Sequence, residues 1–195
     1  MDAFLLGLAV IFVAEFGDKS QLLVLAFATR HGATPVIAGI VVAAAVIQGA
    51  SVAAGAWLGS ALPETPITVI SGVAFLAVAA WTLRGTGDED EEAVLAREAR
   101  RDRRGWFGLA AVVAGTFLVG ELGDKTMLAT FALAARQDAL MTWIGATAGM
   151  VGANLVAVAV GRSVGARLSP RAVRIGSAVL FALAGLLILA GLVIG

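Results

Sequence analysis

Glu15-Phe16-Gly17-Asp18-Lys19-Ser20 recurs as Glu121-Leu122-Gly123-Asp124-Lys125-Thr126, 106 residues later in a chain of 195. The register extends from the motif without a gap and sets Val13 to Phe75 against Val119 to Phe181. Residues A, V, I, L, M, F, W, Y and C make up 59% of the chain, so matches among small apolar residues carry little weight. The pairs Glu15/Glu121, Asp18/Asp124, Lys19/Lys125 and Arg30/Arg136 carry the argument. Gln48/Asn154, Ser71/Ser177 and the steps Gly55-x-x-x-Gly59 and Gly161-x-x-x-Gly165 fall in the same register. Duplication alone explains the likeness, but not why charged residues are the ones that survive.

Around the motifs the chain reads as membrane protein. Only 14% of residues are charged, against about 25% for a soluble domain. Spans of roughly 20 apolar residues cross a bilayer, and six stretches approach that length: Ala3 to Thr29, Val36 to Ala61, Ile67 to Leu83, Trp106 to Ala135, Met141 to Val160 and Ala172 to Ile194. The first lacks a basic leader and is too long for a signal peptide, so it is read as part of the mature chain. The expected fold is therefore all-α, with six transmembrane helices. Residues 1–84 form one three-helix repeat, 85–105 a charged linker and 106–195 a second repeat. Three is odd, so the second copy enters the membrane from the opposite face, giving the inverted-topology repeat of many secondary transporters.

Eleven Lys and Arg side chains fall on the side of the linker and one, Arg136, on the other. The positive-inside rule then puts the linker in the cytoplasm and both termini outside. Trp57, Trp81, Trp106 and Trp143 lie near span ends, as an interfacial belt requires. The linker turns from acidic (Asp88 to Glu92) to basic (Arg97 to Arg104) and reads as a solvated segment. Zero formal charge leaves no basic excess for nucleic acid. Absence of cysteine excludes thiolate sites, and the single histidine, His31, excludes a poly-imidazole zinc site.

Each hexapeptide sits about halfway along its span. Translocon scales charge roughly 2.5–3.5 kcal/mol for each Asp, Lys or Arg at a helix centre, so unpaired, lipid-facing groups would oppose insertion by well over 10 kcal/mol. The motif residues must face the interior and compensate one another. On a continuous helix Glu15, Asp18 and Lys19 share a face, as do Glu121, Asp124 and Lys125, while Gly17 and Gly123 weaken the helix or admit another backbone. Lys19 and Lys125 are the only lysines. Four carboxylates and two ammoniums sum to minus two, which suits one divalent cation. Buried ion pairs kept for architecture alone contribute little stability, which argues for a functional use.

Carboxylates, the hydroxyls of Ser20 and Thr126 and the amides of Gln48 and Asn154 are hard oxygen donors, matched to Ca²⁺, Mn²⁺ or Mg²⁺. For the two amides an interhelical hydrogen bond is an equal alternative. Met127 is read as packing before it is read as a soft ligand, Ser71 and Ser177 as packing or back-bonding hydroxyls, and the glycine steps as close helix contacts.

Two copies of Glu-x-Gly-Asp-Lys-(Ser/Thr), in the first and fourth of six spans, with a charged central loop, resemble the small cation–proton exchangers of Golgi, bacterial and chloroplast membranes. These were long grouped as uncharacterised protein family sixteen and belong with the cation/calcium exchangers. The resemblance covers essentially the whole chain. It implies transport of Mn²⁺ and Ca²⁺ against protons, with Glu15, Asp18, Glu121 and Asp124 as cation ligands and Lys19, Ser20, Lys125 and Thr126 in support. The expected function is export of the cation from the cytoplasm, the same acids coupling it to protons. Gln48 and Asn154 lie outside the motif and are not carried over. The cation and protons are cargo and no resident cofactor is expected; the partners are the lipid bilayer and, compatibly, a second copy of the chain. Absence of an organelle-targeting extension fits a bacterial inner membrane. One rival is an exporter of an amino acid or other organic cation held by the same acids. A hydrolase built on Ser20 or Thr126 with its neighbouring lysine is disfavoured, because adjacent residues project about 100° apart on a helix. A non-transporting membrane scaffold is the remaining rival.

Overall fold

A computed structural model describes residues 2–15, 21, 24, 27–28, 33–84, 105–164 and 170–194. Every regular element among them is helical: α1 (Asp2–Glu15), α2 (Ala33–Ala61), α3 (Glu64–Arg84), α4 (Trp106–Glu121), α5 (Lys125–Ala134), α6 (Ala139–Val164) and α7 (Pro170–Ile194). Local signals set the boundaries. Pro63 and Pro66 stand just before and within the first turn of α3, and Pro170 opens α7, where a missing N–H costs nothing. Asp138 caps α6, its Oδ1 accepting from Met141 N at 2.8 Å.

Three helices are long and apolar enough to cross a membrane: Ala33–Ala61, Thr65–Leu83 and Ala139–Val156. The stretch Trp106 to Ala135, expected as one continuous span, is instead α4 and α5 joined at a 79° bend. Taken as one broken span it makes a fourth. The described apolar stretch of α7 is Ala178–Gly191. Within the expected first span, α1 is described as far as Glu15; Gln21, Val24, Phe27 and Ala28 are helical, and the remainder lies outside the described residues, as do 85–104 of the linker.

The core is mainly apolar, but polar groups are buried within it while large apolar side chains face outward. Gln48, Ser71, Thr126, Thr130 and Asn154 are buried, while Trp57, Phe107, Leu183 and Leu187 are exposed. Such an exterior suits hydrocarbon, where apolar faces cost nothing and polar groups must turn inward.

Without water to drive association, membrane helices are held by close packing across small residues. Each half's first helix packs chiefly on the second helix of the other half, α1 on α6 and α4 on α2, and the third helices, α3 and α7, pack on each other. The partnering is unchanged when the halves are exchanged. A Cβ on Gly145 would meet the Phe4 carbonyl, and one on Gly39 would lie 2.6 Å from the Ala110 carbonyl, the same contact shifted by 106 on both sides. Phe75 and its register mate Phe181 are fully buried against each other, ring centroids 6.1 Å apart, so the local two-fold passes between them.

Running directions follow from the same contacts. Gly145 meets Phe4 and Gly149 meets Leu8, so α1 and α6 run parallel. Gly55 meets Phe131 and Gly59 meets Ala135, so α2 and α5 do too, and the first of the expected glycine steps is a helix contact. Gly72 faces Leu189 and Leu76 faces Gly185, making α3 and α7 antiparallel. The second expected step reaches beyond the described residues, since Gly165 lies outside them. Of the four tryptophans, Trp57, Trp81 and Trp106 are exposed as a belt requires. Trp143 is half-buried and donates to Ala45 O at 2.9 Å, tying α6 to α2.

Candidate cation-binding site

The second motif is a break in its helix. α4 stops at Glu121, Gly123 takes φ 83, and α5 starts at Lys125. A positive φ is costly for any residue with a Cβ, so glycine is the residue this turn accepts. Asp124 N donates to Glu121 O at 3.2 Å, and Gly123 N donates to Met127 Sδ at 3.1 Å. The Met127 sulfur thus steadies the turn. Sharing of one continuous helix face by Glu121, Asp124 and Lys125, the arrangement expected from spacing, does not hold: the helix is broken at Gly123 by the 79° bend between α4 and α5. In the first motif Glu15 is the last described residue of α1, and residues 16–20 lie outside the described residues.

Glu15, Glu121 and Asp124 each offer a carboxylate oxygen, and the three oxygens lie within 4.8 Å of one another. Glu15 and Glu121 are buried and Asp124 half-buried. Asp124 stands at the N-cap position with extended backbone, yet its side chain makes no capping bond to α5, the usual employment of an Asp there. Three like-charged carboxylates gathered away from water repel unless a cation or protons sit among them. Geometry therefore provides a place where either can be held. The break adds backbone dipoles: α4 points its carbonyl end, and α5 its N–H end, at the same turn.

Of the other residues expected here, Thr126 is fully buried and its Oγ1 has no hydrogen-bond partner among the described residues. Lys125, the first residue of α5, is half-buried. Asp18, Lys19 and Ser20 lie outside the described residues. Gln48 and Asn154, both fully buried, lie on α2 and α6. Ser71 donates to Ala132 O at 3.2 Å and links α3 to α5.

Sequence reading missed two buried polar residues, Gln21 and Thr130, and one buried methionine, Met150. Gln21 Nε2 donates to Ala153 O at 3.2 Å, one position from Asn154. Thr130, one turn beyond Thr126, has an Oγ1 with no partner among the described residues. Met150 receives the Gln48 amide on its sulfur. The register could not flag them, since Gln21 falls against Met127, Thr130 against Val24 and Met150 against Ala44.

Comparison with known proteins bears on the site. The family model described as divalent cation/proton antiporter GDT1 matches residues 3–90 and 109–193, two stretches whose starts are 106 apart, the shift that superposes the motifs. A Vibrio cholerae protein provisionally named a manganese exporter is 33% identical over 83% of this chain and 78% of its own length. A GDT1-like protein of Synechocystis, sll0615, is 31% identical over 93% of both chains. The chloroplastic protein PAM71 of Arabidopsis thaliana is 33% identical over 92% of this chain and 53% of its own. No solved structure matches the chain.

Proposed function

This chain belongs to the divalent cation/proton antiporter GDT1 family, and we propose that it exports Mn²⁺ or Ca²⁺ from the cytoplasm in exchange for protons. The observation that carries the reading is the meeting of acids from the two halves: Glu15 of the first and Glu121 and Asp124 of the second present oxygens within 4.8 Å. Asp18, outside the described residues, is assigned to the same site because it is the register mate of Asp124. Hard oxygens in this number suit Mn²⁺ and Ca²⁺ and suit Cu⁺ poorly. The name of the Vibrio cholerae relative favours manganese. So small a cluster favours a compact ion over an organic ammonium.

Metal and proton compete for the same carboxylate oxygens. Open to the cytoplasm, the site takes up the cation and gives up protons; after the two repeats rock against each other, external protons displace the metal. Because the two repeats share the site between them, a relative movement opens it to one side or the other. In this reading the chain crosses the membrane six times in two inverted repeats. The parallel run of α1 and α6 agrees with this: when helices alternate within each half, a second helix parallel to the opposite half's first requires the halves to be oppositely inserted. In this reading the linker is cytoplasmic, both termini are external, and the protein resides in a bacterial inner membrane. Carboxylates that only bind and release ions form no covalent intermediate, so the proposal contains no enzyme chemistry.

Glu15→Gln and Glu121→Gln, each tested alone in inside-out vesicles, are expected to abolish proton-coupled Mn²⁺ uptake. Near-normal uptake by both variants would remove the assignment.

A further inference from the structure

Met150 holds two amides by their nitrogens. Gln48 Nε2 donates to Met150 Sδ at 3.8 Å, and Asn154 Nδ2 donates to Met150 O at 2.9 Å. Neither acceptor has a proton to give, so each amide must turn its NH₂ toward Met150 and its carbonyl oxygen away. Both amides are fully buried, and Gln48 Oε1 and Asn154 Oδ1 have no hydrogen-bond partner among the described residues. A buried acceptor left without a donor is costly, and a cation is one way to satisfy it.

Helix register sets these oxygens at the height of the acids. Along the parallel pair α2/α5, Gly55 meets Phe131 and Gly59 meets Ala135, both 76 residues apart, so Gln48 stands level with Asp124 (48 + 76 = 124). Along α1/α6, Phe4 meets Gly145 and Leu8 meets Gly149, both 141 apart, so Asn154 stands level with Val13 (154 − 141 = 13), about half a turn from Glu15. Each amide is thus at the level of an acid borne by the other half.

We propose that the Gln48 and Asn154 carbonyl oxygens are neutral ligands of the transported cation, set between the two acidic motifs, and that Met150 is the positioning residue that fixes the Gln48 amide in its ligating orientation. The proposal rests on the cation-site reading above and adds to it. Neutral carbonyl oxygens raise the coordination number of a hard cation toward the six to eight that Ca²⁺ prefers without deepening the negative charge. That charge must be neutralised by protons on the return step. Occupying the Met150 sulfur with an N–H also withholds the one soft donor identified beside Gln48 from the metal.

The test is Mn²⁺ binding to the purified full-length chain in detergent, read from the free-ion EPR signal, alongside the metal-free melting temperature. Gln48→Leu and Asn154→Leu are each expected to weaken Mn²⁺ binding about tenfold or more, and Met150→Leu to weaken it in the same direction. The double variant Gln48→Leu/Met150→Leu should bind no worse than Gln48→Leu alone, because Met150 acts through Gln48. Gln48→Glu, which keeps an oxygen donor, should retain binding even if Gln48→Leu does not fold. Met150→Leu should leave the metal-free melting temperature unchanged. Wild-type affinity in Gln48→Leu or Met150→Leu, with Glu15→Gln unable to bind, would overturn this inference and leave the proposed function standing. Additive loss in the double variant would overturn the positioning role. Normal binding by Glu15→Gln would overturn the site itself.

Discussion

Gly123 decides the shape of the second motif. It takes φ 83, and a Cβ there would meet nothing within 4 Å, so any penalty for replacing it comes from backbone conformation and not from crowding. Gly123→Ala is expected to destabilise by about 1 kcal/mol, and Gly123→Asn by less, because Asn tolerates the left-handed region better. Melting of the two purified variants in detergent measures this. Equal melting of wild type and Gly123→Ala would mean that the turn is not held in that conformation. Transport should fall in step with the strain, since the turn aims both Glu121 and Asp124.

At the scale of elements, packing through small residues makes α2 sensitive on one face. A side chain at Gly59 would run into the Ala135 carbonyl of α5, whereas one at Gly115 of α4 would meet nothing within 4 Å. Gly59→Leu should therefore cost at least about 1–3 kcal/mol through overpacking. Gly115→Ala should be neutral or stabilise by about 0.5–1 kcal/mol, the usual gain inside a helix. Size-exclusion profile and melting temperature report both; a benign Gly59→Leu would contradict the close α2/α5 contact. Sequence alone located α2, α3, α6 and α7 to within a few residues, because Pro63, Pro66, Asp138 and Pro170 punctuate an otherwise apolar chain. It did not foresee the break at Gly123, since a glycine inside an apolar run is compatible with a bent and a straight helix alike. Nor could it show α1 packing on α6. Where every face is apolar, no stripe marks the side that meets a partner.

For the whole molecule, the sequence made the two-fold legible through its charged and amide pairs: Glu15 with Glu121, and Gln48 with Asn154. Convergence of the two motifs was expected from their summed charge, but the helices that bring them together were not, because spacing along a chain says nothing of which helices cross. The absence of cysteine makes sidedness directly measurable. Single cysteines at Asp2 and Glu92 should react with a membrane-impermeant maleimide from opposite sides, Asp2→Cys in intact cells and Glu92→Cys only in inside-out vesicles. Labelling of both from the same side would refute the proposed orientation. Exchange itself is the most direct test of the central claim that acids from both halves form one site shared by metal and proton. In proteoliposomes loaded with a pH-sensitive dye, an outward proton gradient should drive Mn²⁺ uptake with simultaneous proton efflux, and Glu15→Gln or Glu121→Gln should abolish both fluxes together. Mn²⁺ entry that ignores the gradient, or proton movement that persists in either variant while metal movement stops, would contradict it.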